Sequence, residues 1–186
     1  MPINEFQLRL WIGEHVHWSR FFPSWLLKIY RAGLTAGYSV EALTPLLDQL
    51  DQELSEGHAG QLMRVLPELP TCLYPSAHVN RMMTAALGFD GSFEVGVALL
   101  TENERFAAQL YAAILREAAD IEGFDPSFFQ RHVELDEGEH ADGVEQLCRL
   151  TGTSHMLREV TRHFRNARLV HLRHHFGDQV DSWFTP

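Results

Sequence analysis

The sequence predicts an all-α protein, a single compact bundle of about seven helices in which residues 1–186 form one domain. Three observations carry that prediction. Apolar residues recur at helical spacing, while alternating β-branched runs are absent. Glycines and prolines fall between the periodic stretches, where helices stop. The chain has 186 residues, 45% apolar and 22% charged, enough to bury one core.

The elements follow in order. A first helix is expected over residues 4–17, with Phe6, Leu10 and Gly13 or Glu14 along one side, and a break at Pro23 in "RFFPSW". "WLLKIYRAG" then reads as a helix stopped at Gly33. "YSVEALTPLLDQLDQELSEG" reads as the next, with Ser39 as N-cap. After Gly57, "HAGQLMRVL" either continues that helix or restarts it. The prolines of "PELPTCLYPS" mark a loop. "AHVNRMMTAALGFD" is a helix ended at Gly88, and the long alanine-rich stretch from Ser92 ends at Gly123. A sixth helix opens with Asp125 as N-cap and Pro126 at its first position, and the last begins after Ser154 and runs to Gly177.

Charge excludes some functions. Fifteen Lys and Arg stand against 25 Asp and Glu, a net charge of −10 with neutral histidines, which repels nucleic-acid backbones. No apolar run is long enough to span a membrane. The N-terminal stretch has neither the basic nor the apolar segment of a secretory signal. Cys72 and Cys148 form no CxxC pair and fit a reduced, cytoplasmic protein.

Chemistry concentrates in "HVELDEGEHADGV", where His132, Asp136 and His140 fall at four-residue steps and form one slanting row on a helix. Phe129, Val133, Asp136, His140, Gly143, Leu147 and Leu150 are spaced as a core-facing stripe. A buried carboxylate there needs a cation, a histidine or a metal. Two other segments offer inward-facing donors. On the fifth helix Leu99, Glu102 and Phe106 have buried-stripe spacing, with Glu104 as the rival between Leu100 and Tyr111. Before it, Leu47, Leu54, His58, Leu62 and Val65 share a face containing Asp51, with Glu53 beside Leu46 and Leu50. Mixed Glu, Asp and His ligands suit iron or manganese better than a sulfur-rich zinc site.

"FFQRHVELDEGEHADGVEQL" resembles the signature helix of haem-oxygenase-like di-metal proteins, the iron-containing redox enzymes related in fold to TenA and the PQQ-synthesis oxidase. Phe128, Phe129, His132, Asp136 and His140 match that pattern, "GVALLTENERFA" resembles the region that supplies a Glu, and "DQELSEGH" the region that supplies a further Glu and His. The likeness covers roughly residues 40–150. It implies a single haem-oxygenase-like helical domain and a metal-ligand set of Glu53, His58, Glu102, His132, Asp136 and His140. Asp51 and His78 stand as alternatives for the Glu53–His58 pair, because five residues place those two about 140° apart on a regular helix.

The resemblance further implies two iron ions per chain, with O2 and a small organic substrate as reactants, while the acidic charge and the lack of a long apolar run predict no nucleic-acid or membrane partner. A homodimer is a further expectation. Arg158, Arg162, Arg165, Arg168 and Arg173 on the last helix would bind a substrate carboxylate or else form a solvated basic face. The competing expectations are a metal-free ligand-binding relative of TenA or the PQQ oxidase, haem held by His15 or His17, and a structural or pH-responsive module.

Overall fold

The computed structural model describes residues 3–70, 72–88, 91–152 and 158–184, the side chains of residues 136, 137 and 139 excepted. Helices and connecting turns account for all of this, with no strand among the described residues. The helices are α1 (Glu5–Thr35), α2 (Thr44–Ser55), α3 (His58–Leu62), α4 (Ala77–Leu87), α5 (Phe93–Glu117), α6 (Ser127–Glu137), α7 (Glu139–Thr151), α8 (Arg158–Phe176) and α9 (Val180–Trp183). The central α5 packs against α1, α6, α7 and α8, while α4 packs on α8 and α1. The all-α bundle agrees with the sequence expectation.

Several boundaries differ from the sequence reading. α1 does not break at Pro23 but runs through it for 31 residues, opened by an Asn4–Gln7 capping box. Proline removes one helical hydrogen bond, and the burial of Trp18, Phe22, Trp25, Leu26 and Ile29 on both sides offsets that loss. Nor does Gly33 end a helix. It is a close-packing glycine, since a Cβ there would sit 2.7 Å from Leu43 Cδ2, and the left-handed turn falls at Gly37 instead (φ 90°). α5 ends at Glu117, six residues before Gly123.

The sixth helix also starts and ends differently. Asp125 caps its first turn by accepting from Ser127 N at 2.9 Å, with Pro126 before the helix rather than inside it. It then divides at Gly138 (φ −117°, ψ −106°) into α6 and α7. That break rotates the buried face, so Val144 and Leu147 point inward and Leu150 is exposed.

The core has two apolar halves. Trp11, Phe106, Leu110, Phe128, Phe129, Leu172 and Phe176 belong to one, and Trp18, Trp25, Phe93, Leu100, Leu147 and Phe164 to the other. Between them each long helix turns polar at one level: His15 on α1, Asn103 and Glu104 on α5, Arg168 and His171 on α8, His132 on α6 and His140 on α7, all buried. A polar belt inside an apolar bundle is costly unless every group finds a partner. The functional site lies on this belt.

Candidate metal centre

Gly57 settles the geometry of the Glu53–His58 pair. Its left-handed conformation (φ 61°, ψ 49°) separates α2 from α3, so His58 opens a new helix and turns back toward α2. His58 Nδ1 then lies 2.9 Å from Glu53 Oε1, and Nε2 lies 3.1 Å from Glu56 Oε2. Burial opposes protonation of this imidazole, but the hydrogen bonds and charges of Glu53 and then Glu56 outweigh it and raise its pKa.

His132 is its complement. Nδ1–H donates to the Phe128 carbonyl at 2.7 Å, which leaves the Nε2 lone pair facing His58 Nδ1 at 3.3 Å. Burial, then the neighbouring His58 charge, lowers the pKa of His132 to about 4. The carbonyl therefore holds a neutral imidazole in the tautomer a metal ligand requires.

The same cleft contains a second donor pair. Glu104 Oε2 lies 3.5 Å from His140 Nδ1, and His140 Nε2 donates to Gln52 Oε1 at 2.7 Å. Asn103 Nδ2 donates to Glu104 Oε1 at 3.0 Å. Asn103 is held in turn by Arg168, whose Nη1 donates to its carbonyl at 3.2 Å and also to its side-chain oxygen. Arg168 is only 2% exposed, with its guanidinium 4.1 Å from the centroid of the Phe106 ring.

Trp18, Ser19, Phe22, Tyr111 and Phe128 complete the walls, leaving about 30 Å3 for the centres of water-sized particles. That is room for about two waters or small ions.

The structure thus brings together Glu53, His58, His132 and His140 of the expected ligand set. Glu102 is corrected: it points away and accepts from Arg165 Nη1 at 2.8 Å, while Glu104, about 200° around the axis of α5, faces the cleft. Asp136 sits on α6 with its side chain outside the described residues. Asp51 is exposed on α2, whose buried face carries Leu46 and Gln49 rather than Leu47 and Leu54. His78 lies elsewhere, stacked on His174. Of the arginines on α8, Arg165 pairs with Glu102, Arg173 pairs with Asp181 and Arg168 is buried, so they are not one solvated face. Sequence reasoning missed Asn103 and Gln52, and it read Arg168 as a substrate-binding or solvated arginine rather than as the buried support of Asn103. The polar Asn103–Glu104 pair between Leu99–Leu100 and Phe106–Ala107 was a usable signal, whereas nothing local marks Gln52.

Glu53, His58 and His132 each offer a ligand atom, all within 4.8 Å of one another. Ligands bound at 2.0–2.2 Å to a tetrahedral ion lie about 3.3–3.6 Å apart. The 3.3 Å between the two imidazoles matches that spacing, and the 2.9 Å between Glu53 and His58 is slightly shorter. An ion would take the place of the proton now on His58 Nδ1. No family model matches the chain, and no curated protein matches it. No helix among the described residues is long and apolar enough to cross a membrane.

Proposed function

We propose that this chain is a non-haem metal enzyme that binds two ferrous ions, with manganese as the alternative, and uses O2 to oxidise a small organic substrate. One observation carries the reading: donors from five helices converge on one cleft, and His132 is fixed in a ligand tautomer. Glu53, His58 and His132 would hold one ion, and Glu104 and His140 would supply ligands to the second. Bound iron would supply the electrons that reduce O2. The Phe128 carbonyl holds the His132 ring, and Glu56 and Gln52 orient His58 and His140 from behind.

The organic substrate needs other space. A cleft of about 570 Å3 between α2 and α7 shares His140 with the metal cleft, and Asp48, Asp51, Asp142 and the buried Gln49 line it. Its donor-rich demand favours a substrate bearing an amine over one bearing a carboxylate. Haem suits this chain poorly. His15 hydrogen-bonds Tyr111 at 3.3 Å and the space beside it has no room for a water-sized particle, whereas cofactor pockets run to about 300–1,000 Å3.

The test is iron content after anaerobic Fe(II) loading and desalting, for wild type, His132→Ala and Glu104→Gln. Both variants are expected to retain clearly less iron than wild type with unchanged helical circular dichroism, and to lose O2 uptake. Equal iron in all three, or none in wild type, would sink the proposal. The second outcome would leave Glu53–His58–His132 as a hydrogen-bond network beside an organic-ligand cleft.

A further inference from the structure

The polar belt holds a second convergence of imidazole and carboxylate. His171 and His175 lie one turn apart on α8, and Glu14 of α1 reaches both. Glu14 Oε2 is 3.2 Å from His175 Nε2 and 3.6 Å from His171 Nδ1, and it accepts a hydrogen bond from Ser76 Oγ at 2.7 Å. Ser76 also caps α4 by accepting from Val79 N. The cluster therefore joins α1, α8 and the start of α4.

His171 is the anomaly. It is 1% exposed, and neither ring nitrogen makes a hydrogen bond among the described residues. Burying both polar atoms without partners is unfavourable, and packing alone gives no reason for a histidine there. Its Nδ1 stands too far from Glu14 for a hydrogen bond. It stands at the right distance for two ligands of one small cation, since tetrahedral ligand atoms lie about 3.3–3.6 Å apart.

We propose that Glu14, His171 and His175 form a mononuclear zinc site separate from the di-metal centre. Two histidines four residues apart on a helix with one carboxylate from another element make a three-ligand tetrahedral set with an open fourth position. The chemistry differs from the first centre in having a single carboxylate, which suits one divalent ion rather than two. Ser76 fixes the carboxylate from behind, as an outer partner of a ligand should. Two more imidazoles lie nearby: His174 is exposed and stacks at 4.4 Å on the half-buried His78, whose Nδ1 has no hydrogen bond among the described residues. The bound ion would clamp α8 onto α1.

Chelator-stripped protein titrated with Zn(II) alone tests this. Bound zinc is counted after desalting in wild type, Glu14→Gln, His175→Gln and His132→Ala. Glu14→Gln keeps the size and the Ser76 contact, so the fold is preserved while the anionic ligand is lost. Both Glu14→Gln and His175→Gln are expected to hold one zinc fewer per chain than wild type, with affinity for that ion weakened by about 100-fold or more. The same ion should persist in His132→Ala. With Co(II) as probe, the intense visible absorption of a four-coordinate site should survive in His132→Ala and vanish in His175→Gln. Zn(II) should raise the melting temperature of wild type and His132→Ala, and should raise that of His175→Gln by less than that of wild type. Wild-type zinc counts in Glu14→Gln and His175→Gln, or loss of all zinc in His132→Ala alone, would overturn the assignment.

Discussion

Two histidine–carboxylate clusters share the belt of this bundle, and one histidine sets them apart: burial lowers the pKa of His132, His171 and His175, whereas that of His58 is raised. In the first, Glu53 and Glu56 flank His58, and Glu104 faces His140. In the second, Glu14 alone faces His171 and His175. Burial depresses both histidines of the second cluster. In His171 the neighbouring imidazoles add to it, and in His175 the Glu14 carboxylate only partly opposes it. In His58 burial works in the same direction, but two carboxylates overrule it. The number of carboxylates beside a buried imidazole therefore decides whether its pKa lies above or below the ordinary value. It also sets how much positive charge each cluster can accept from a metal.

The largest expected effect that sharpens this comparison is on acid stability. His132 titrates at about 4 in the folded chain. Its ordinary value is about 6.5, so between those two limits the unfolded chain takes up a proton that the folded chain refuses. Metal-free protein should lose about 3 kcal/mol through this residue alone as pH falls from about 6.5 to 4. His58 runs the other way: its raised pKa contributes stability that is complete below the unfolded value and is lost as pH rises through the folded one. Urea unfolding across pH, with His132→Gln beside chelator-treated wild type, should show a flatter acid limb in the variant. Superimposable limbs would mean that His132 is not the group held neutral.

Gly57→Ala comes next. A side chain at φ 61° costs about 1–2 kcal/mol, and relaxing that strain should turn His58 away from Glu53. The variant is expected to bind Fe(II) more weakly at the first centre while its zinc binding at Glu14–His171–His175 is unchanged. A variant that loses stability but binds iron as wild type does would show that Gly57 serves only the turn.

The smallest effect is at Glu102. It is half-buried and paired with Arg165, and an ion pair of that exposure contributes up to about 1 kcal/mol. Glu102→Gln should therefore shift the melting temperature slightly and leave iron content alone, whereas Glu104→Gln lowers iron content. Reversal of those two results would restore Glu102 as the ligand.

Much of this architecture was legible before any coordinates. Helical periodicity, the absence of alternating strands and the stop signals sufficed for the all-α bundle. His140 announced itself as a polar group on a core-facing stripe, and His132 as the start of the four-residue row that ends at His140. What failed were inferences from regular geometry. Pro23 reads as a break because a lone helix cannot afford it, yet the aromatic packing of α1 carries the helix through. Leu47, Asp51 and Leu54 read as an inward face, but α2 buries Leu46 and Gln49. The choice between Glu102 and Glu104 was open because Leu99 and Leu100 are both fully buried on α5, and only the neighbours decide which acid meets a histidine and which meets Arg165.

The sequence by itself determined the fold class and the presence of donors on interior helix faces, because periodicity and burial are local properties of the chain. Tertiary structure alone decided which donors meet. The Gly57 and Gly138 breaks re-aimed His58 and His140, and Glu14 was brought to His171 from more than 150 positions away. No periodic pattern encodes a contact at that separation, since it depends on how whole helices pack.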